Sequence, residues 1–269
     1  MLGKLIKHEF RATRRIMLPL YLILLATAIA ANFSTRGLME TSYWMLDVLG
    51  GLLIVAFFVA IIGVCVMSFV LMVQRFYKNL LQDEGYVMLT LPVSIHQHIW
   101  AKLIVSAVWF VLTLIAVFWA VCIMAFDLHI IGDIFQGFGA MFQELRQLEA
   151  KYAFNGAGYL AEMAVLCFVG IVAMCVQFYA ALAIGHSAAN HKMACSVAAF
   201  FGLQFVIQML SGIGIQVLIH SDWDFFHINV NHFAAIHIGM LIMIAIAAAY
   251  GAIFYLITVY FLRRHLNLE

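Results

Sequence analysis

Long runs of apolar residues alternate with short polar segments along the whole chain. Six runs approach or exceed the roughly 20 residues that an α-helix needs to cross a bilayer. They cover residues 16–33, 48–73, 99–126, 159–185, 193–219 and 233–262. The pattern predicts an all-α polytopic membrane protein, with six transmembrane helices in a single transmembrane domain that spans residues 1–269.

Two segments outside these runs have apolar residues at helical spacing with polar residues between them. In residues 1–15, Leu2, Ile6 and Phe10 repeat in this way, and basic side chains fill most of the other positions. We expect this segment to form an amphipathic interfacial helix in the headgroup layer. Residues 134–152 show the same spacing, which predicts an extracytoplasmic amphipathic helix of about five turns.

Composition and charge agree with this class and set the orientation. Hydrophobic residues make up 66% of the 269 residues and charged residues only 10%, whereas a soluble domain has about 25% charged residues. The net charge of +1 gives no indication of nucleic-acid binding. All lysines and arginines except Arg36, Arg146 and Lys151 fall on one side of the six-span topology. Because basic residues are retained on the cytoplasmic side, we expect a plasma-membrane protein with both termini in the cytoplasm.

Several kinds of active site are excluded by their missing motifs. The chain has no G-x-x-x-x-G-K-[ST] phosphate-binding loop, no H-E-x-x-H and no G-x-G-x-x-G after a strand. The stretch Gly185-His186-Ser187-Ala188 is similar to the G-x-S-x of rhomboid intramembrane proteases, and His237 lies on the sixth run, where their histidine lies. The predicted levels of Ser187 and His237 differ by about 30 Å, but a nucleophile and its base need about 3 Å. An intramembrane serine protease is therefore a remote alternative, and we expect no enzyme.

Polar residues inside the predicted spans either join helices or line a passage. Gln204, Gln208 and Ser211 share one face of the fifth run, and Gln177 lies in the middle of the fourth. One glutamine stripe makes a narrow pathway, so we favour the joining of helices. The stripe still leaves a stand-alone channel or secondary transporter as the main alternative function.

Histidines and aspartates crowd the segment between the fifth and sixth runs. The weak metal candidates among them are His220, Asp222, Asp224 and His227. Imidazole and carboxylate groups bind zinc or copper, but this spacing fits no helical i,i+4 ligand pair. We therefore predict a wetted interfacial turn and no metal site.

The segment between the second and third runs has the most specific pattern, DEGYVMLTLPVS at residues 83–94. Ser94-Ile95-His96-Gln97 is an S-x-x-Q capping box, which starts a helix. Pro92 disfavours a helical conformation at Leu91 and sets a turn before that cap. We expect a short, stiff cytoplasmic element, which is either a docking site for a partner or a well-formed loop.

Together with the N-terminal stretch KLIKHEFRATRR, the longer stretch DEGYVMLTLPVSIHQHIWAKL resembles the membrane subunits of type-2 ABC exporters. The layout of six spans with cytoplasmic ends is similar over nearly the whole chain. The resemblance implies that residues 83–94 are a short coupling helix that docks on a separate P-loop ATPase subunit. The implied coupling residues are Asp83, Glu84, Gly85, Tyr86, Leu89, Leu91, Pro92, Val93 and Ser94.

The resemblance also implies partners and a mechanism. Two membrane subunits, identical or homologous, would pair within the lipid bilayer and export a substrate by alternating access. This chain would bind no cofactor, because ATP and Mg²⁺ would be held by the partner ATPase. The missing phosphate-binding loop is consistent with that division, and equally with the functions that do not use ATP. The resemblance leaves the substrate open, and also whether the two membrane subunits are identical.

Overall fold

The computed structural model describes residues 2–38, 43–82, 93–126, 136–137, 139–144, 146–147, 155–188, 190–220 and 232–264. Nearly all of these residues are helical, and none of them lies in a β-strand. Six helices in this part of the chain are long and apolar enough to cross a membrane. The protein is therefore an all-α polytopic membrane protein, which confirms the predicted fold class.

Each of the six helices contains or overlaps one of the apolar runs. Their bounds are α1, Leu2–Phe33; α2, Trp44–Leu80; α3, Ile95–Met124; α4, Gly156–Gly185; α5, Lys192–His220; and α6, His232–Arg264. A π-helical turn, Ser34–Leu38, follows α1. In the predicted loop helix 134–152, the described residues 136–137, 139–144 and 146–147 are helical, and the rest lie outside the described residues.

The predicted interfacial segment 1–15 and the first span belong to one helix. No break separates them, and Pro19 lies within α1 without ending it. The buried positions of α1 repeat every three, four or seven residues and form one continuous stripe. They are Glu9, Thr13, Met17, Leu24, Ala28 and Ala31. Because this stripe includes Glu9 and Thr13, the N-terminal turns pack on the protein as the rest of α1 does.

The chain divides into two compact units. The first comprises Met1–Arg75 and Gln97–Phe142, and so contains α1 and most of α2 and α3. The second comprises Phe76–His96 and Gln143–Glu269. The connection between α2 and α3, which includes the predicted coupling segment, therefore belongs to the same unit as α4, α5 and α6.

The first unit has a core of small and large apolar side chains from three helices. Ala28 and Ala31 of α1 and Ala120 of α3 are fully buried, beside Phe57 and Val64 of α2. Small residues let membrane helices approach closely, so dispersion contacts between the helices become stronger. The three helices thus form one packed core, and many large apolar side chains on their other faces are exposed, as contact with lipid requires.

Hydroxyl groups reinforce this core. The Thr113 hydroxyl on α3 lies 2.8 Å from the Tyr21 hydroxyl on α1 and 2.7 Å from the Ser68 hydroxyl on α2.

At the far end of α3, the Asn32 side-chain amide donates to the carbonyl oxygens of Met124 and Phe126, each at 2.9 Å. The last carbonyl groups of a helix lack hydrogen-bond donors within it. Asn32 supplies donors that the acyl chains of lipid do not have.

The second unit is built around α4, which is the most buried of the six helices. Phe178 of α4 stacks on Phe200 of α5, with ring centroids 4.5 Å apart. A β-carbon at Gly251 of α6 would lie 3.5 Å from Ala173 of α4, which is ordinary van der Waals contact. At the end of α4, Gly185 lies directly against the backbone of Ser196 in α5. The close approach of α4 and α5 therefore depends on a residue without a side chain.

We predict that Gly185→Ala destabilises the protein by about 1–3 kcal/mol, because the added methyl group would overlap the Ser196 backbone and force α4 and α5 apart. Thermal unfolding of the purified protein in detergent would measure the change. Gly170→Ala on the same helix is the matched control, since a β-carbon there meets no atom within 4 Å. Equal stability of the two variants would contradict this packing.

Candidate functional site

The predicted coupling segment is described only at its two flanks. Residues 83–92 lie outside the described residues, whereas Val93 and Ser94 lie within them. Helix α3 begins at Ile95, directly after the serine that the capping-box pattern places at the N-cap. The flank before the segment is the last turn of α2 with Leu81 and Gln82, and the flank after it is the start of α3.

Aromatic contacts fix the flank that precedes the segment. Phe76, in the last turns of α2, stacks on Tyr179 of α4 with centroids 4.1 Å apart and an angle of 7° between the planes. Tyr77 meets the ring of His186 edge-on, with centroids 5.0 Å apart. Leu80 and Leu81 are buried as well. Aromatic pairs in these geometries add to the free energy of apolar burial, so this flank is anchored on α4.

Hydrogen bonds fix the flank that follows the segment. Nδ1 of His96 lies 2.6 Å from the Tyr255 hydroxyl of α6, and Nε2 lies 2.8 Å from an Arg263 guanidinium nitrogen. An arginine N–H always donates, so Nε2 is the acceptor in this contact and Nδ1 is left to bond Tyr255. The start of α3 is therefore anchored on α6, and both ends of the segment are fixed within one unit.

His186, which contacts the first flank, has a perturbed titration. Its side chain is buried, and Nδ1 donates to the Leu182 carbonyl at 3.2 Å. Burial lowers the pKa of His186, the positive charge of Lys192 lowers it further, and the hydrogen bond to Leu182 opposes both. His186 is therefore held neutral at pH 7 at the end of α4.

The residues of the protease-like motif do not form a catalytic pair. Ser187 directly follows the end of α4, and its hydroxyl donates to the Ile184 carbonyl at 2.6 Å. His237 stacks on Tyr159 near the start of the same helix, with centroids 3.7 Å apart. At 1.5 Å per residue, the length of α4 separates the two by about 40 Å. At this separation Ser187 and His237 cannot act as nucleophile and base, which is consistent with a protease being only a remote alternative.

His237 instead joins the ends of α4 and α6. Its Nδ1 lies 2.9 Å from both carboxylate oxygens of Glu162. A carboxylate accepts, so Nδ1–H is the donor. Nothing in the local sequence pattern pairs Glu162 with a residue 75 positions away, so this contact was not predicted.

Two of the polar residues predicted inside the spans, Gln177 and Gln204, join two helices. The Gln177 amide nitrogen of α4 donates to the Gln204 amide oxygen of α5 at 2.9 Å. The Ser211 hydroxyl donates to the Gln208 carbonyl of its own helix at 3.0 Å. Gln208 and Ser211 are exposed. The contact between Gln177 and Gln204 is of the kind expected for helix joining rather than for a passage.

The weak metal candidates lie almost entirely outside the described residues. His220 ends α5, and Asp222, Asp224 and His227 are not described. Among the side chains that are described, no three of the His, Cys, Asp and Glu type come together in a group that could hold a metal ion.

A buried ion pair in the first unit was not predicted. Lys102 Nζ lies 2.7 Å from Glu9 Oε1, and the two side chains are only 3% and 10% exposed. Beside them, the Trp109 indole N–H donates to the Thr13 hydroxyl at 2.7 Å, and Phe10 stacks on Trp109. These contacts tie the first turns of α1 to α3. The sequence does show Lys102 within an apolar run, and a lysine in such a position requires a partner of opposite charge.

A cavity adjoins this ion pair. Its volume is ≈ 20 Å³, which holds about one water molecule. It is lined by Thr13, Ser68 and Ser106, by the two residues of the ion pair and by Arg75. The cavity is therefore suited to hydrating the pair and is too small for a transported substrate.

Comparison with protein families, curated proteins and solved structures finds no match to this chain.

We predict that Lys102→Met lowers the free energy of unfolding by about 3–5 kcal/mol, because it leaves the Glu9 carboxylate buried without its cation. The double variant Glu9→Gln/Lys102→Met should recover most of that loss, since neither charge then remains. Unfolding in mixed micelles would measure both. Lys78→Met, at an exposed position of α2, is the control. Equal destabilisation by the single and double variants would contradict the pairing.

We predict that stability falls on acidification through His186. The folded protein holds this imidazole neutral, whereas the unfolded chain takes up its proton near the ordinary pKa of about 6.5. The unfolded state therefore binds more protons below that pH, and the free energy of unfolding decreases as the pH falls from 7 to 5. His186→Phe, which keeps an aromatic ring beside Tyr77, should reduce the change in melting temperature over this range. His8→Phe, at an exposed position, should not. An unaltered pH dependence in His186→Phe would refute the prediction.

Proposed function

We propose that this chain is the membrane-spanning permease subunit of an ATP-binding-cassette exporter, with ATP hydrolysis on a separate subunit. The observation that carries the proposal is the anchoring of both flanks of residues 83–92. Phe76 and Tyr77 contact α4, and His96 contacts α6. A loop that only connects two helices does not need stacked and hydrogen-bonded contacts on both sides.

The same contacts supply a physical route for coupling. An ATPase that pushes or pulls on residues 83–94 would transmit force through the stack of Phe76 on Tyr179 to α4. It would also act through His96 on Tyr255 and Arg263 of α6. Because well-packed contacts have low compressibility, α4 and α6 would move with the segment. Two such subunits, identical or homologous, would pair, and their spans would alternate between inward- and outward-facing states.

Charge distribution supports the orientation that the proposal requires. The basic residues of the first turns of α1, of the connection between α2 and α3 and of the end of α6 would all face the cytoplasm. The proposed location is therefore the plasma membrane, with both termini cytoplasmic and with ATP and Mg²⁺ on the partner ATPase.

The stand-alone channel or secondary transporter receives less support. That alternative depends on the stripe of Gln204, Gln208 and Ser211, yet Gln204 is engaged with Gln177. Polar groups in contact across two helices stabilise helix packing. We therefore prefer the exporter and treat ion or substrate flux in protein-only liposomes, without ATP, as the outcome that would favour the alternative.

We predict that a P-loop ATPase copurifies with tagged wild-type protein from its native membrane in mild detergent, as detected by mass spectrometry. Glu84→Ala/Tyr86→Ala should reduce the copurified ATPase about tenfold or more, since truncating interface residues that carry the binding energy costs about 2 kcal/mol or more. The control Glu149→Ala/Tyr152→Ala removes the same residue types from the 134–152 loop and should retain the ATPase. Absence of any ATPase with wild type, also after gentle crosslinking, would contradict the proposed function.

A further inference from the structure

The first four turns of α1 carry their basic side chains on one face. At about 100° per residue, these side chains fall within an arc of about 120°. They are Lys4, Lys7, His8, Arg11, Arg14 and Arg15, and all six are exposed. The other side of the same turns packs on the protein, where Ile6 and Phe10 contact the cluster of Met17 and Trp109. We call these six residues the basic face.

No exposed carboxylate compensates the basic face within α1. Glu9 is the only acidic residue in positions 2–38, and it is buried in its ion pair with Lys102. The basic face also lies at the N-terminal end of a 32-residue helix, where the helix dipole favours negative charge. The face is therefore a concentrated positive site.

Part of the basic face is concave. Lys4, Lys7, His8 and Arg11 border a shallow, half-open recess on this helix, and the surface that lines it is mostly the apolar part of their side chains. Ammonium groups bind phosphate as point charges, and a guanidinium group can bind two of its oxygens at once. The charged ends of these four long side chains can therefore meet one phosphate group at the edge of the recess.

The continuation of the same face is apolar and exposed. Helical periodicity places four apolar residues farther along α1, toward its C-terminal end, within about the same arc as the basic side chains. They are Leu18, Leu22, Ile29 and Phe33. Their side chains are 47%, 67%, 60% and 66% exposed. Leu18 lies about 10 Å along the axis from Arg11, the recess residue closest to it, which is within the thickness of one hydrocarbon leaflet, about 15 Å. A ligand that matches the whole face therefore has a phosphate at one end and an acyl chain at the other.

We propose that this face of α1 binds an anionic phospholipid. The headgroup phosphate lies at the edge of the recess of Lys4, Lys7, His8 and Arg11, and an acyl chain lies along Leu18 and Leu22. All residues of this site belong to the first unit, and the site does not require the ATP-driven exporter. A free phosphate ion would use the recess but not the apolar continuation, which is why the lipid is the better fit.

Spin-labelled lipids test this site in the full-length protein reconstituted in phosphatidylcholine. Electron paramagnetic resonance measures the fraction of labelled lipid immobilised at the protein, for phosphatidylglycerol and for phosphatidylcholine. The variant Lys7→Gln/Arg11→Gln removes two charges of the recess and keeps helix-forming residues. The matched control Arg146→Gln/Lys151→Gln removes two charges from the 134–152 loop. A third sample contains wild type with inorganic phosphate, against chloride at equal ionic strength.

Wild type and the control should show the same preference for phosphatidylglycerol, and Lys7→Gln/Arg11→Gln should lower that preference about fivefold or more. An unchanged preference in Lys7→Gln/Arg11→Gln, or a wild type without preference, would overturn the site. Displacement of labelled phosphatidylglycerol by inorganic phosphate at equal ionic strength would overturn the lipid as ligand in favour of the free anion. Because both substitutions are at exposed positions, circular dichroism should show an unchanged helix content.

Discussion

Lys102 lies two turns inside an apolar helix, where an ammonium group is costly unless a carboxylate meets it. Glu9 supplies that carboxylate, and the rotation of α1 about its own axis follows from the pairing. Once Glu9 faces α3, Thr13 and Met17 continue the same stripe into the core. The basic side chains are then turned outward. One ion pair thus determines which face of α1 is buried and which face, the basic one, is exposed.

The second unit holds the connection between α2 and α3 by a different kind of contact. Stacked aromatic rings attach the end of α2 to α4, and the hydrogen bonds of the His96 imidazole attach the start of α3 to α6. These contacts are short-ranged and directional, so they fix position as well as add stability. Residues 83–92 are consequently attached at both ends to helices that could move with them. On this attachment we base the proposal that the segment receives force from an ATPase.

The features that the sequence predicted correctly are local ones. A helix that spans lipid must be apolar along its own length, so six runs were enough to predict six helices. The start of α3 after Ser94 follows from a cap and a proline within a few residues of it. Contacts between helices have no such local signal. Glu9 and Lys102 are 93 positions apart, and His96 and Arg263 are 167 apart. The rotation of each helix decides these pairs, and apolar runs do not specify rotation, which is why the ion pair and the His96 contacts were missed.

Site-specific photocrosslinking from position 86 tests the central claim most directly. A photoreactive phenylalanine analogue would replace Tyr86, and in a parallel sample Tyr152, in cells that make the protein at its native level. We predict that position 86 crosslinks to a P-loop ATPase and that position 152 does not. Crosslinks from position 86 to lipid alone, or to the same partners as position 152, would contradict the claim that residues 83–94 form the coupling element.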